Sequence, residues 1–272
     1  MDDNVFATFL ITFVAGASTA IGSALTFFIK RNDFRWLALG MSFSAGVMIY
    51  ISFMDILPLA FSQVASDGVS LFGMGAEKSG KACGMLAFFA GAVVAGLIDA
   101  FIPTHVHGEM LSGAEKSGER KDGGKMGRAA ILTAAAITIH NFPEGLSVFV
   151  AGLGDINTGL AVGFAIMLHN IPEGLSVSLP IYSATGKKWR SFAIGALSGL
   201  TEPLGALAAY FVLLPILTPS VVGVALASTA GIMVYIALDE LLPMARDYGE
   251  EHYGIFGALA GIALMSVSSL LF

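Results

Sequence analysis

Long apolar runs separated by short polar turns set the pattern of this chain. Runs long enough for a helix to cross a bilayer, about 20 residues, occupy positions 4–29, 34–62, 82–102, 128–152, 156–184, 189–214, 219–246 and 253–272. They predict an all-α membrane protein with eight transmembrane helices, a single polytopic domain over residues 1–272. The connections are short except for 103–128, which is rich in Gly, Ser and charge and reads as a loop. The chain is 56% hydrophobic and 12% charged, where a soluble domain carries about 25% charge.

The first run is too long for a signal peptide. It opens on Asp2 and Asp3 instead of a basic segment, so it reads as a retained span. Lys30, Arg31 and Arg35, the long loop with Lys116, Arg120, Lys121, Lys125 and Arg128, then Lys187, Lys188 and Arg190, and finally Arg246 all fall on one face of an eight-span chain. Only Lys78 and Lys81 fall on the other. The positive-inside rule makes the basic face cytoplasmic and places both termini outside. The expected partner is the lipid bilayer; the few scattered basic residues give no nucleic-acid footprint. A single cysteine, Cys83, excludes an internal disulfide and a thiolate metal cluster.

Within this apolar frame one nonapeptide occurs twice. His140-Asn141-Phe142-Pro143-Glu144-Gly145-Leu146-Ser147-Val148 returns as His169-Asn170-Ile171-Pro172-Glu173-Gly174-Leu175-Ser176-Val177. Ionisable groups are costly in lipid and mark ion or substrate pathways. At helical spacing His and Glu lie four apart and Asn and Glu three apart, so each copy turns imidazole, carboxamide and carboxylate to one side. Pro143 and Pro172 lack an N–H, which frees the carbonyls of Ile139 and Leu168 as further oxygen donors. Glu202, beside Pro203, adds a third carboxylate inside an apolar run. Three such acids without a nearby Lys or Arg need protons or cations. The mixed nitrogen and oxygen set suits one or two divalent ions, Zn²⁺ but also Fe²⁺, Mn²⁺ and Co²⁺.

The repetition is wider than the motif. Ala45–Ile51 resembles Ala230–Ile236, and Asp55, Leu57, Pro58 and Ala60 match Glu240, Leu242, Pro243 and Ala245. Gly16/Gly199, Gly22/Gly205 and Phe28/Phe211 relate spans one and six more weakly. A shift of five spans reverses direction across the membrane. The expectation is an inverted 3+2+3 repeat around a central pair, as in secondary transporters with a midplane site.

The motif His140–Gly145 resembles the His-Asn-x-Pro-Glu-Gly signature of span four in the ZIP family of divalent-metal transporters, and the whole chain is similar to its bacterial zinc-uptake branch. That resemblance implies import of Zn²⁺, with Fe²⁺, Mn²⁺, Co²⁺ and Cd²⁺ as further cargo, across the bacterial inner membrane by a protein that is not an enzyme and has no prosthetic group. It implies a binuclear centre: Asn141, Glu144, Asn170, Glu173 and Glu202 on one ion, and Glu144, Glu173 and His169 with His140 on the other. It also implies that spans one, four, five and six shift against the rest. The commoner eukaryotic fifth span reads His-Glu-x-Pro-His-Glu. Asn170 and Glu173 depart from it and make this centre harder and less strict for zinc.

Other polar positions remain two-sided. Met48 either fills a core gap or meets metal near an entrance. Asp55 would recruit cations at the outer mouth and Asp239 and Glu240 receive them inside, or all three are helix-end carboxylates at the headgroups. His105, His107 and Glu109 form an exit site or a solvated loop. Gly75–Ala82 approaches a phosphate-binding loop but lacks its final Ser/Thr and preceding strand. Gly91, Gly96, Gly257 and Gly261 permit close helix contacts, within one chain or between the copies of a homodimer. A passive metal channel and an intramembrane metal-dependent hydrolase are the competing functions.

Overall fold

In the computed structural model, residues 3–31, 35–68, 70–71, 73–101, 138, 141–216, 218–248 and 252–270 are described. These form helices joined by short turns and contain no strand. Among the described residues, six helices are long and apolar enough to cross a membrane. We number the rods α1 (Asp3–Ala24), α2 (Arg35–Ser66), α3 (Ala76–Phe101), α4 (141–154), α5 (Ile156–Thr185), α6 (Lys188–Val212), α7 (Pro219–Arg246) and α8 (Tyr253–Ser268).

The bounds follow local chemistry. Asp155 caps α5, accepting from the Thr158 N–H at 2.8 Å, and Thr218 caps α7 through the Val221 N–H at 3.2 Å, with Pro219 opening the helix. At the far end of α5, Gly186 adopts φ +69°, a conformation that favours glycine, and donates to the Tyr182 carbonyl. Helix α3 starts six residues before the apolar run expected at 82–102, at Ala76. An ion pair of Glu77 with Lys81 at 2.7 Å, one turn apart, supports that polar first turn.

Three rods change pitch ahead of a proline. Ser52–Ile56 in α2, Ala237–Leu241 in α7 and Ala209–Leu213 in α6 form wide π-type turns, each ending two residues before Pro58, Pro243 or Pro215. A proline ring collides with the carbonyl four residues earlier and offers no N–H to it, and a wide turn absorbs both defects. The expectation of proline kinks did not extend to this change of pitch. Asp55 and Glu240 lie inside two of these turns at matching places.

The rods pack as two groups. Helices α1, α5 and α6 adjoin one another, with α4 against α6 and α1; α2, α3, α7 and α8 form the other group, and the broadest described contact between groups is α2 on α5. In each group glycines let backbones touch, and several of these crossings occur twice. A Cβ at Gly22 would overlap the Ile171 carbonyl, and one at Gly205 the Phe142 carbonyl. Gly174 meets the Thr19 carbonyl as Gly145 meets that of Glu202. Gly46 on Ala258 is matched by Gly231 on Phe88, and Gly261 on Phe43 by Gly91 on Ser228. Gly16 and Gly199 sit against each other's carbonyls. Gly91, Gly96, Gly257 and Gly261 are thus used within one chain, Gly96 against the Tyr235 ring and Gly257 against Ser42. They lend no support to a homodimer.

Candidate metal centre

Helix α4 carries residues 141–148 of the first motif copy and α5 the whole of the second, and side chains of the two approach one another. Glu144, His169 and Glu173 are buried and offer ligand atoms that all lie within 4.8 Å of one another. His169 Nε2 stands 3.2 Å from Glu144 Oε1, a carboxylate from one copy against an imidazole from the other. Apart from that approach, which lacks hydrogen-bond geometry, both Glu144 oxygens, both His169 nitrogens and Glu173 Oε1 have no hydrogen-bond partner among the described residues. Buried polar atoms without partners are costly, so donors that converge and stay free fit a cationic guest.

Next to this triad lies a second polar knot. Asn170 Nδ2 donates to the Ala15 carbonyl of α1 at 2.9 Å and also to Glu202 Oε1 of α6. Asn170 Oδ1 and Glu202 Oε2 remain open among the described residues, and the amide of the buried Asn141 lies near Glu173 without a close hydrogen bond. No Lys or Arg pairs with Glu144, Glu173 or Glu202 among the described residues. Ionised together in a dry interior they would repel and lose hydration at several kcal/mol each, roughly, and a divalent ion relieves both costs.

Of the expected site residues, the structure therefore gathers Asn141, Glu144, His169, Asn170, Glu173 and Glu202 on three adjoining helices. His140 lies outside the described residues, as do His105, His107, Glu109 and the loop 103–128. Met48 is buried in α2 and Asp55 is half-buried in its π-type turn. Asp239 is exposed and accepts from the Tyr235 hydroxyl at 3.2 Å, while Glu240 beside it is buried. None of these four belongs to the converging triad. Two contributors were not foreseen: the Ala15 carbonyl, and Ser44, whose hydroxyl donates to the His169 carbonyl at 3.4 Å and ties α2 to the motif. Ser44 stands one turn before Met48 in an apolar run, a signal the sequence did contain; a backbone carbonyl leaves none.

Apolar helices enclosing a buried cluster of carboxylates and imidazole fit a membrane protein and form a group that could hold a metal ion. The chain belongs to the ZIP zinc transporter family, whose model matches residues 111–269. That family is one of transporters, not of enzymes. The chain is similar to the zinc transporter ZupT of Streptococcus mutans, 43% identical over 272 residues and 100% of both chains. It is similar also to the zinc transporter ZupT of Chlorobium luteolum, 46% identical over 270 residues and 98% of both chains. The zinc transporter ZupT of Campylobacter jejuni is 44% identical over 287 residues, 98% of this chain and 96% of its own.

Proposed function

We propose that the protein carries Zn²⁺ into the cytoplasm through the pocket between α4 and α5, as a multi-pass protein of a bacterial inner membrane. The observation that carries this reading is the closure of Glu144, His169 and Glu173, from the two motif copies, to within 4.8 Å in a buried cluster. Zinc accepts imidazole and carboxylate at about 2.0–2.2 Å and prefers four donors, so three converging ligands need only small side-chain movement and one more donor. His140, Asn141, Asn170 and Glu202 are the nearest in sequence or by hydrogen bond, and together they would extend the pocket to two ions. Oxygen dominates this set and thiolate is missing from it, so Fe²⁺, Mn²⁺, Co²⁺ and Cd²⁺ should also enter. Because the carboxylates must lose protons to bind metal, uptake should exchange one for the other.

Eight spans with both termini outside agree with the helix directions. Helix α1 runs with α5, since Ile11 faces Gly163 and Arg31 reaches the Ser183 carbonyl. It runs against α6, since Lys188 donates to the Phe27 carbonyl while Gly199 meets Gly16. Strict alternation through eight crossings requires both relations. The doubled glycine crossings support an inverted repeat. The two packing groups, joined mainly by α2 on α5, support motion of α1, α4, α5 and α6 as a body past the others.

Radiozinc uptake into proteoliposomes tests the reading. E144A and E173A should each cut uptake by about a hundredfold or more, since loss of a supporting partner alone costs 10–100-fold, with insertion and folding intact. Normal accumulation by either variant refutes the site. Saturable flux at low turnover marks a carrier, and large ohmic current a channel. Competition by Fe²⁺, Mn²⁺, Co²⁺ and Cd²⁺ at several external pH values reads selectivity and proton exchange together.

A further inference from the structure

The pocket is built on a doubled frame but is not itself symmetric, and the departure falls on one pair of positions. Gly16 and Gly22 of α1 correspond to Gly199 and Gly205 of α6, in sequence and in the backbones they touch. In that register Thr19 corresponds to Glu202. The contacts agree: the Thr19 carbonyl lies against Gly174 of the second motif copy, as the Glu202 carbonyl lies against Gly145 of the first. The Glu202 side chain starts beside Gly16, and that of Thr19 beside Gly199.

The next step in the symmetry is broken. From α6, which crosses α4, Glu202 reaches over to α5 and accepts from Asn170. The mirror relation would run from Thr19 on α1 to Asn141 on α4. Threonine is shorter than glutamate by two bonds and carries no charge. Accordingly Thr19 Oγ1 is fully buried and unpartnered among the described residues, and the buried amide of Asn141 lies near Glu173 without a close hydrogen bond to it. An open hydroxyl on one helix and a loosely held amide on the other thus follow from one substitution in the repeat.

We infer that Thr19 and Asn141 form the neutral mirror half of the Asn170–Glu202 pair, and that position 19 is a positioning residue that sets the charge of the cation pocket from the side opposite Glu202. The inference rests on the transport site proposed above. Its consequence concerns release as much as binding. Three carboxylates hold a divalent ion in a pocket that must also let it go, and a fourth at position 19 would hold it harder. The open hydroxyl and amide give the ion's remaining water oxygens and hydrogens something to bond without adding charge.

The test moves the carboxylate across the repeat. Zn²⁺ binding to purified full-length protein is measured by isothermal titration, and uptake in proteoliposomes beside it. E202T should weaken Zn²⁺ binding by about tenfold or more, the scale of a lost charge-assisted bond. T19E/E202T should regain most of that loss, with Asn141 taking the part of Asn170. T19E alone should bind more tightly and turn over more slowly. T19V, which removes only the hydroxyl, should weaken binding by about threefold to tenfold, and T19S should restore it, which loss of packing alone would not predict. A folded T19E/E202T that binds no better than E202T overturns the inference. Should that variant not fold, T19V binding equal to wild type overturns it. Wild-type binding and uptake by E144A, E173A and E202T would instead defeat the underlying site.

Discussion

The two copies of the nonapeptide share every residue but one and do not have the same environment. In the α5 copy the amide of Asn170 is engaged twice, by the Ala15 carbonyl and by Glu202. In the α4 copy the amide of Asn141 has neither bond among the described residues. The variable residue does not cause this, since the Phe142 and Ile171 carbonyls sit in equivalent glycine contacts with α6 and α1. The difference is imported from the neighbours: α6 presents Glu202 where α1 presents Thr19. A motif therefore specifies which ligand types are available, while the helix packed across it decides which of them are already tied.

The strongest way to break this comparison is to remove the packing that makes the copies equivalent. A leucine at Gly174 or Gly145 would drive a side chain into the Thr19 or Glu202 carbonyl. Overpacking costs about 1–3 kcal/mol and occasionally more, so G174L and G145L should both lower the melting temperature in detergent by similar amounts. A large disparity would show that the crossings are not equivalent. Next in size is the asparagine pair. N170A removes two hydrogen bonds and frees Glu202, so zinc uptake should fall about tenfold further than in N141A, whose amide only lies near Glu173 without a close hydrogen bond, given 1.5–3 kcal/mol for bonds to charged groups. Equal uptake by the two variants would erase the distinction. Smaller still is Ser44→Ala, which loosens α2 from the His169 carbonyl across a long bond of 3.4 Å. Uptake should stay within about threefold of wild type, the scale of one neutral hydrogen bond.

The smallest effect concerns the start of α5. The hydroxyl and then the N–H of Thr158 hold the Asp155 carboxylate below its ordinary range. A carboxylate held lower in the folded state stabilises above its unfolded value, about 3.9, and that contribution fades as pH falls through the folded value. Wild type should therefore lose its advantage over D155S, whose cap does not titrate there, only as pH drops below about 4. Melting curves from neutral to acid pH follow the gap. A gap that persists at the acid end, or never exists at neutral pH, counts against the cap.

Much of the molecule was legible beforehand. The expected runs 156–184, 189–214 and 219–246 reappear as Ile156–Thr185, Lys188–Val212 and Pro219–Arg246, because continuous apolar stretches bounded by Asp155, Gly186 and Thr218 leave helices few other places to begin or stop. That Glu144, His169 and Glu173 stand as ionisable groups in an apolar frame was readable; that they cluster came from the packing. The wide turns before Pro58, Pro215 and Pro243 were not readable: a proline announces a disturbance, and its surroundings choose between a kink and a change of pitch.

The order of residues by itself determined that this chain forms apolar helices with two identical sets of imidazole, carboxamide and carboxylate groups among them, since hydropathy and helical spacing are local properties. Which groups converge, that Ala15 and Ser44 join them, and that Asn170 is tied to α1 and α6 while Asn141 is not were decided only when α1, α2 and α6 packed around α4 and α5. Those relations depend on side-chain reach between segments far apart in the chain, where a glutamate on one helix and a threonine at the matching place on another surround two like peptides differently.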